Sequence, residues 1–255
     1  MIKQQKWLIV EGCPRSGTTI LREVLNTNEE IALSLEWDLL RLKLKKEQLI
    51  EKYKEIFKEK KEGNIKYFGD KLPLYFFRNY HKKLKEKLGD FYIIHISRNP
   101  LFVVSSFKKL RENPSLKYNW NHFFSIKDAC ILWILAWNKI NKIKNNSNVF
   151  HLKYEDLIQN PEEILKKISL FLRVKNRFDF SLIEKKEFSL TLNQKELKIV
   201  NKYLGEIIKC WHLPLKEIEK KFPKLKNFYF PEERIILKSL TWEFQKLFSR
   251  KFLLK

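Results

Sequence analysis

Lys6-Trp-Leu-Ile-Val-Glu-Gly-Cys-Pro-Arg-Ser-Gly-Thr-Thr19 is the stretch whose reading decides the architecture. Its first half is a short apolar run, Trp7 to Val10, of the kind that forms a buried strand. Its second half is a glycine-bearing turn that leads into Gly17–Leu25, where the spacing predicts a helix. Backbone N–H groups converge in such a turn, and the helix dipole adds positive potential there, so an anion is favoured. The spacing is that of a nucleotide phosphate loop, Gly-x4-Gly-Lys-Ser/Thr, except that Thr18 holds the lysine position and Arg15 sits inside the loop. That lysine normally reaches the outer phosphates of ATP or GTP, so its loss argues against an ordinary NTPase. The plainer reading is a strand-to-helix turn with no ligand.

On either side of this stretch, strands and helices alternate. Ile65–Phe68, Phe91–Ile96 and Asn148–Lys153 read as further strands. Helical spacing predicts Leu39–Lys61, a helix near Leu74–Leu88, Pro100–Leu110 and Ser125–Lys144. Asn160-Pro-Glu-Glu163 reads as a helix start, with a capping side chain, proline at the first helical position and acids in the first turn. The alternation predicts an α/β fold of P-loop type, a three-layer arrangement whose central parallel sheet carries helices on both faces, with a mainly helical C-terminal part. No repeat or low-complexity linker interrupts the 255 residues, so a single domain over 1–255 is expected.

Composition narrows the class. At 44% hydrophobic and 32% charged residues, the chain is neither a disordered tail nor a membrane bundle. Its longest apolar stretch, Ile131–Trp137, falls far short of the roughly 20 residues that span a bilayer. Trp7–Val10 is too short for a signal-peptide core, and the final Phe-Leu-Leu-Lys255 carries no lipidation signal. Cys13, Cys130 and Cys210 are scattered without metal-ligand spacing, which fits a reducing compartment and a cytoplasmic location. The net charge of +22 rests on lysine, since only ten residues are arginine. Arginine is the better fork for bases and phosphates, and no arginine-rich or aromatic-interleaved module is present. The excess is therefore read as lysine on solvated faces, with nucleic acid not expected as a partner.

A second block, Phe91-Tyr-Ile-Ile-His-Ile-Ser-Arg98-Asn-Pro100, sets an arginine at the carboxyl end of a strand, where parallel sheets bind ligands. Ser106 follows about two helical turns after Pro100, so Arg98 could fork a phosphate while Ser106 donates a hydroxyl hydrogen bond to it. A third block is Leu152-Lys-Tyr-Glu-Asp-Leu157 with Asn-Pro-Glu behind it. Taken in order and spacing, the three blocks resemble the sulfotransferase family over residues 7 to about 173.

The resemblance implies transfer of a sulfuryl group from 3′-phosphoadenosine 5′-phosphosulfate (PAPS) to a hydroxyl acceptor. It assigns Arg15, Ser16, Gly17, Thr18 and Thr19 to the 5′-phosphosulfate, Arg98 and Ser106 to the 3′-phosphate, and Tyr154 to the neighbourhood of the adenine. Sulfuryl transfer needs positioning and cations on the leaving oxygen, and because the group carries less charge than a phosphoryl, no metal is expected. Arg15 and Lys71 are the candidate cations. Lys71 stands in Gly69-Asp-Lys-Leu-Pro73, which looks like the Lys-x-Pro block of the tyrosylprotein and bacterial carbohydrate types. The His of the cytosolic steroid and phenol type is absent, because Lys71 passes directly to Leu72-Pro73.

For the general base, the tyrosylprotein type points to Glu36 in Leu33-Ser-Leu-Glu-Trp37, whose plainer reading is an acid in the first turn of a helix. His95 reads as a core residue, while His81, His122 and His151 show no partner pattern. Asp70 follows only a weak strand and is a poor magnesium ligand. In the C-terminal third only Lys185 and Lys186 suggest themselves as further ligands. Two other functions stay open: a magnesium-dependent nucleotide kinase or NTPase with a degenerate loop, and a basic nucleic-acid-binding protein. The acceptor class is open too, among saccharide, lipid, tyrosine and small alcohol.

Overall fold

The computed structural model describes residues 5–60, 64–73, 75, 80–113, 125–183 and 190–225. β1 (Lys6–Glu11) runs down the middle of a five-stranded parallel sheet of order β2-β3-β1-β4-β5. Its companions are β2 (Ile31–Leu35), β3 (Tyr67–Lys71), β4 (Phe91–Ser97) and β5 (Val149–Lys153). α1 (Thr18–Asn26), α2 (Lys46–Ile56), α3 (Tyr80–Leu88), α4 (Pro100–Glu112) and α5 (Ile126–Ile143) lie between the strands in sequence. α6 (Tyr154–Gln159), α7 (Pro161–Leu172), α8 (Gln194–Lys209) and α9 (Leu215–Lys221) follow β5.

β1 is apolar without alternation because both of its faces are covered. On one face the Tyr53 ring of α2 lies 5.9 Å from Trp7 and 5.2 Å from Phe68. On the other, Phe171 of α7 meets Tyr92 at 5.6 Å and Phe150 at 5.4 Å, and the Tyr67 hydroxyl donates to the Leu172 carbonyl at 2.8 Å. The three-layer α/β expectation is met.

The chain divides into two compact units, Met1–Arg98 with Lys139–Glu187, and Asn99–Asn138 with Phe188–Lys255. The first holds the sheet. The described part of the second is helical. Within it Lys108 of α4 pairs with Glu196 of α8 at 2.6 Å, and the Ser105 hydroxyl accepts from the Thr191 N–H at 2.8 Å. Trp133, Trp137 and Trp211 pack ring against ring in its core.

Several expectations shift. The helix expected over Leu39–Lys61 begins only at Lys46, because the backbone before it serves tertiary partners. The Leu39 N–H donates to the Tyr75 hydroxyl at 2.9 Å, and Lys87 donates to the carbonyls of Leu39 and Leu42, both at 2.6 Å. β2 is an additional strand, and it places Glu36 just beyond a strand end rather than in a helix's first turn. β3 runs on three positions beyond Phe68 to Lys71, through a glycine and an acid that are both buried. Asn160 makes no side-chain cap on α7, although Pro161, Glu162 and Glu163 stand where expected. Side-chain caps are made instead by Asn99, which accepts from the Leu101 N–H at the start of α4, and by Asn193, which accepts from the Glu196 N–H at the start of α8.

Nor is all the lysine solvated. The Lys60 ammonium donates to the carbonyls of Asn26 (2.6 Å), Asn28 (2.8 Å) and Ile31, and burial pulls its pKa down to about 8. The three cysteines are buried thiols. Among the described residues no helix is long and apolar enough to cross a membrane. Lys185, Lys186 and His122 lie outside the described residues.

Gly69 lets β1 and β3 close. A Cβ there would stand 1.7 Å from the Leu8 carbonyl oxygen, so the backbone itself would have to move. Gly69→Ala is expected to destabilise the chain by about 2–3 kcal/mol, read as a fall in Tm of roughly 5–10 °C by calorimetry. A Tm equal to wild type would contradict so close an approach.

Candidate active site

The loop from Gly12 to Gly17 joins β1 to α1, and two glycines shape it. A Cβ on Gly12 would meet the Ile96 carbonyl oxygen at 2.3 Å, which allows the loop to leave the sheet directly beside β4. Gly17 has φ 93°, and a Cβ on it would meet the Tyr154 ring at 2.3 Å. Position 17 thus excludes side chains both by backbone conformation and by space. Arg15 is also left-handed, at φ 74°. Ser16 is buried, its N–H donates to the Cys13 carbonyl at 3.0 Å, and its hydroxyl oxygen has no hydrogen-bond partner. A buried, unsatisfied hydroxyl costs stability, so its presence at a helix N-terminus needs a reason, and an anion supplies one. α1 has no acid in its first turn to neutralise that end. Thr18 is buried and Thr19 exposed.

The other two sequence blocks arrive at the same loop. Tyr154 opens α6 directly after β5, and its ring lies over Gly17. Arg98, one residue beyond β4, stacks on that ring with its guanidinium carbon 4.6 Å from the centroid, and its Nη1 donates to the Arg15 carbonyl at 3.1 Å. Burial pulls the Arg98 pKa down, against the opposing effects of Tyr154 and Glu155. A partly desolvated cation of this kind gains from an anion. Arg15, Gly17, Arg98 and Tyr154 are therefore brought together. Ser106 lies half-buried on α4, in the other compact unit.

Lys71 and Glu36 form a second group at the carboxyl ends of β3 and β2. The Lys71 ammonium, 3% exposed, donates to Glu36 Oε1 at 2.7 Å, and the Glu36 N–H donates to the Lys71 carbonyl at 2.9 Å. Glu36 has φ 56° and Asp38 φ 51°, left-handed conformations uncommon for such residues.

Sequence reading missed what holds this turn. Asp70 is wholly buried on β3, and its two oxygens accept from the Ser34 hydroxyl (2.6 Å), the Trp37 N–H (3.2 Å), the Asp38 N–H (3.2 Å) and the Tyr75 hydroxyl (2.7 Å). Burial pushes its pKa up while these four donors oppose the rise. The signal was an acid inside an otherwise buried strand, which must find donors within the protein.

Glu11 was missed for the same reason. It is fully buried, with Oε2 2.7 Å from His81 Nε2 and Oε1 3.2 Å from His95 Nδ1. His151 Nε2 in turn lies 2.8 Å from the Ser97 hydroxyl. His81 and His151 thus have partners that the sequence did not reveal, while His95 is a core residue as expected.

A parallel sheet whose first strand passes through a glycine-bearing loop into a helix defines an α/β protein of P-loop type. The family model described as the sulfotransferase family matches residues 41–177, more than half of the sequence, and the chain belongs to that family. The matched segment carries Lys71, Arg98, Ser106 and Tyr154, whereas the loop and Glu36 precede it. Among solved structures, a sulfotransferase from Alicyclobacillus acidocaldarius is similar with a TM-score of 0.58 and 13% identity, covering 84% of this chain and 99% of that one. The sulfotransferase domain of the Synechococcus PCC 7002 olefin synthase gives 0.52 and 18%, covering 83% and 96%. A sulfotransferase from Mycobacterium avium gives 0.53 and 13%, covering 83% and 78%. At these identities the likeness is one of fold. No curated protein sequence matches the chain.

Glu11 yields a test of the geometry at the base of the loop. Burial would raise its pKa, but the charges and hydrogen bonds of His81 and His95 outweigh that and hold it at about 2, against 4.5 when unfolded. Its contribution is therefore complete above pH 4.5 and is lost as pH falls towards about 2. Urea unfolding of wild type and Glu11→Gln should show a stability gap that narrows by about 3 kcal/mol across that window. A gap independent of pH would remove Glu11 from acid unfolding.

Proposed function

We propose that the chain is a metal-independent sulfotransferase that uses PAPS as donor and a hydroxyl compound as acceptor. The observation that carries this reading is the seating of Arg98 and Tyr154 on the phosphate loop, which joins three separate sequence blocks around Gly17. In this reading the loop amides, the α1 N-terminus, Ser16, Thr18 and Thr19 hold the 5′-phosphosulfate, and the orphaned Ser16 hydroxyl acquires its missing partner. Arg98 holds the 3′-phosphate, with Ser106 assigned to the same group from the sequence motif alone. Tyr154 lies near the adenine.

The chemistry is an in-line displacement at sulfur. The acceptor oxygen bonds to sulfur, the bond from sulfur to the bridging phosphate oxygen breaks, and a sulfate ester and 3′-phosphoadenosine 5′-phosphate leave. Glu36 takes the acceptor's proton as general base. Lys71 and Arg15 neutralise the charge that develops on the departing phosphate. An ammonium has three N–H donors, so Lys71 can keep Glu36 oriented with one of them and meet the phosphate with another. The kinase reading would need an acid at the end of a strand for magnesium, and the Asp70 oxygens already accept from four internal donors. That engagement does not favour the kinase reading.

Arg98→Ala should weaken 3′-phosphoadenosine 5′-phosphate by about 2–5 kcal/mol in calorimetric titration, the cost of truncating one partner of a buried charge pair, and leave the weaker binding of AMP nearly unchanged. Equal losses for both nucleotides would move Arg98 away from the 3′-phosphate.

Glu36→Gln retains an oxygen for Lys71 but loses the base. With labelled PAPS and an acceptor found by screening alcohols, phenols and sugars, turnover should fall by roughly two to four orders of magnitude. Affinity for 3′-phosphoadenosine 5′-phosphate should remain within about threefold of wild type, since a group acting only on the acceptor's proton does not bind the donor. Near-normal turnover would exclude Glu36 as the base.

A further inference from the structure

Asp70 is a wholly buried acid that the proposed chemistry does not use, and the direction of its hydrogen bonds says what it does. Two of its four donors are consecutive backbone N–H groups, those of Trp37 and Asp38. Consecutive N–H groups that converge on one anion form a concave nest, a backbone arrangement that favours a negative group within it. Here a side chain of the neighbouring strand fills it. The residues flanking Trp37 are both left-handed, Glu36 at φ 56° and Asp38 at φ 51°. Each such conformation costs free energy in a non-glycine residue and persists only where the surroundings over-determine it.

The two hydroxyl donors brace the same carboxylate from either side. The Ser34 hydroxyl, on β2, lies 2.6 Å from Oδ1 and 2.7 Å from the Tyr53 hydroxyl. Tyr75 donates to Oδ2 at 2.7 Å while its own oxygen accepts from the Leu39 N–H. Asp70 is thereby tied to the strand before the turn, to the turn itself and to the chain after it. The next residue along β3 is Lys71, which holds the Glu36 carboxylate. One dipeptide of β3 thus fixes both ends of the turn, with Asp70 gripping its backbone and Lys71 its reactive side chain.

We infer that Asp70 is a positioning residue for sulfuryl transfer, acting through the Glu36 turn: its buried carboxylate fills the Trp37–Asp38 backbone nest and so holds the Glu36 carboxylate at Lys71. The inference rests on the reading of Glu36 as general base, and it goes beyond that reading by assigning a residue that touches neither donor nor acceptor.

A double-mutant cycle tests it in the full-length chain with labelled PAPS and the screened acceptor. Asp70→Asn keeps the shape but has one acceptor oxygen where four donors need two. Its kcat should fall roughly 10- to 100-fold, while the affinity for 3′-phosphoadenosine 5′-phosphate stays within about threefold. In a Glu36→Gln background the same substitution should cost less than about threefold, because its effect passes through a carboxylate already removed. A general loss of structure would instead lower nucleotide affinity and add its full effect in both backgrounds, and either result overturns the proposal.

Should Asp70→Asn fail to fold, Ser34→Ala and Tyr75→Phe each delete a single donor and leave the carboxylate in place. Each should lower kcat by roughly 3- to 10-fold with the same dependence on Glu36. A readout without an acceptor is the acetylation of Lys71 by limiting acetic anhydride, followed by mass spectrometry. Labelling should rise at least about threefold in Asp70→Asn or in the donor variants, as the ammonium loses its carboxylate cover. Unchanged labelling would show that Glu36 keeps its place without Asp70. If Glu36→Gln alone leaves turnover intact, the general-base reading fails, and that outcome differs from an additive cycle, in which only the role of Asp70 fails.

Discussion

The ring of Tyr154 occupies the space in which any side chain at position 17 would stand, and the candidate site is organised around that exclusion. Because Gly17 has no Cβ, α6 can begin against the loop between β1 and α1, and the ring then offers its outer face to Arg98. Arg98 in turn reaches the Arg15 carbonyl, so the loop is clasped by the ends of β4 and β5 together. An arginine over an aromatic face, with part of its hydration removed, is a cation prepared for a second partner. The loop supplies amides and an unsatisfied hydroxyl beside it.

Two buried acids near the carboxyl end of the sheet serve a different purpose. Glu11 binds imidazoles, and Asp70 binds hydroxyls and backbone N–H groups, so each carboxylate is satisfied inside the protein. Placing charge in a strand interior is expensive, and it persists where the partners are numerous and well aimed. Asp70 fixes the turn after β2, from which Glu36 projects, while Glu11 joins the end of β1 to His81 and His95. In the proposed chemistry the cations act on the donor, and the buried anion Asp70 holds the turn that faces one of them, Lys71.

Much of this was legible in the sequence. β1 and β4 are largely apolar runs that a doubly covered sheet buries, and α4 announces itself by Pro100. Gly17, Arg98 and Tyr154 stand out by motif, and the structure brings them into contact. What escaped was whatever depends on tertiary partners. Leu39–Lys45 has helical spacing, but the carbonyls of Leu39 and Leu42 are taken by Lys87, and no local pattern signals that. β2 has only five residues and a buried serine whose tolerance depends on Tyr53 and Asp70, so its strand character is not written in Ile31–Leu35 alone. The pairing of Glu36 with Lys71 follows from the β2–β3 register, which places Leu35 beside Lys71.

The contact between Gly17 and Tyr154 also sets an order in time. The two residues are over half the chain apart, and the segment Asn99–Asn138, which belongs to the other compact unit, lies between them. During synthesis the loop and α1 emerge early, yet the ring that covers the loop and the strand that carries it arrive only after that intervening segment. Non-local closures of this kind are slow, and they leave partly built sheet edges open in the meantime. A chain released before β5 would carry the loop after β1 without a roof, and β4, still paired with β1, would then be an open edge rather than an interior strand.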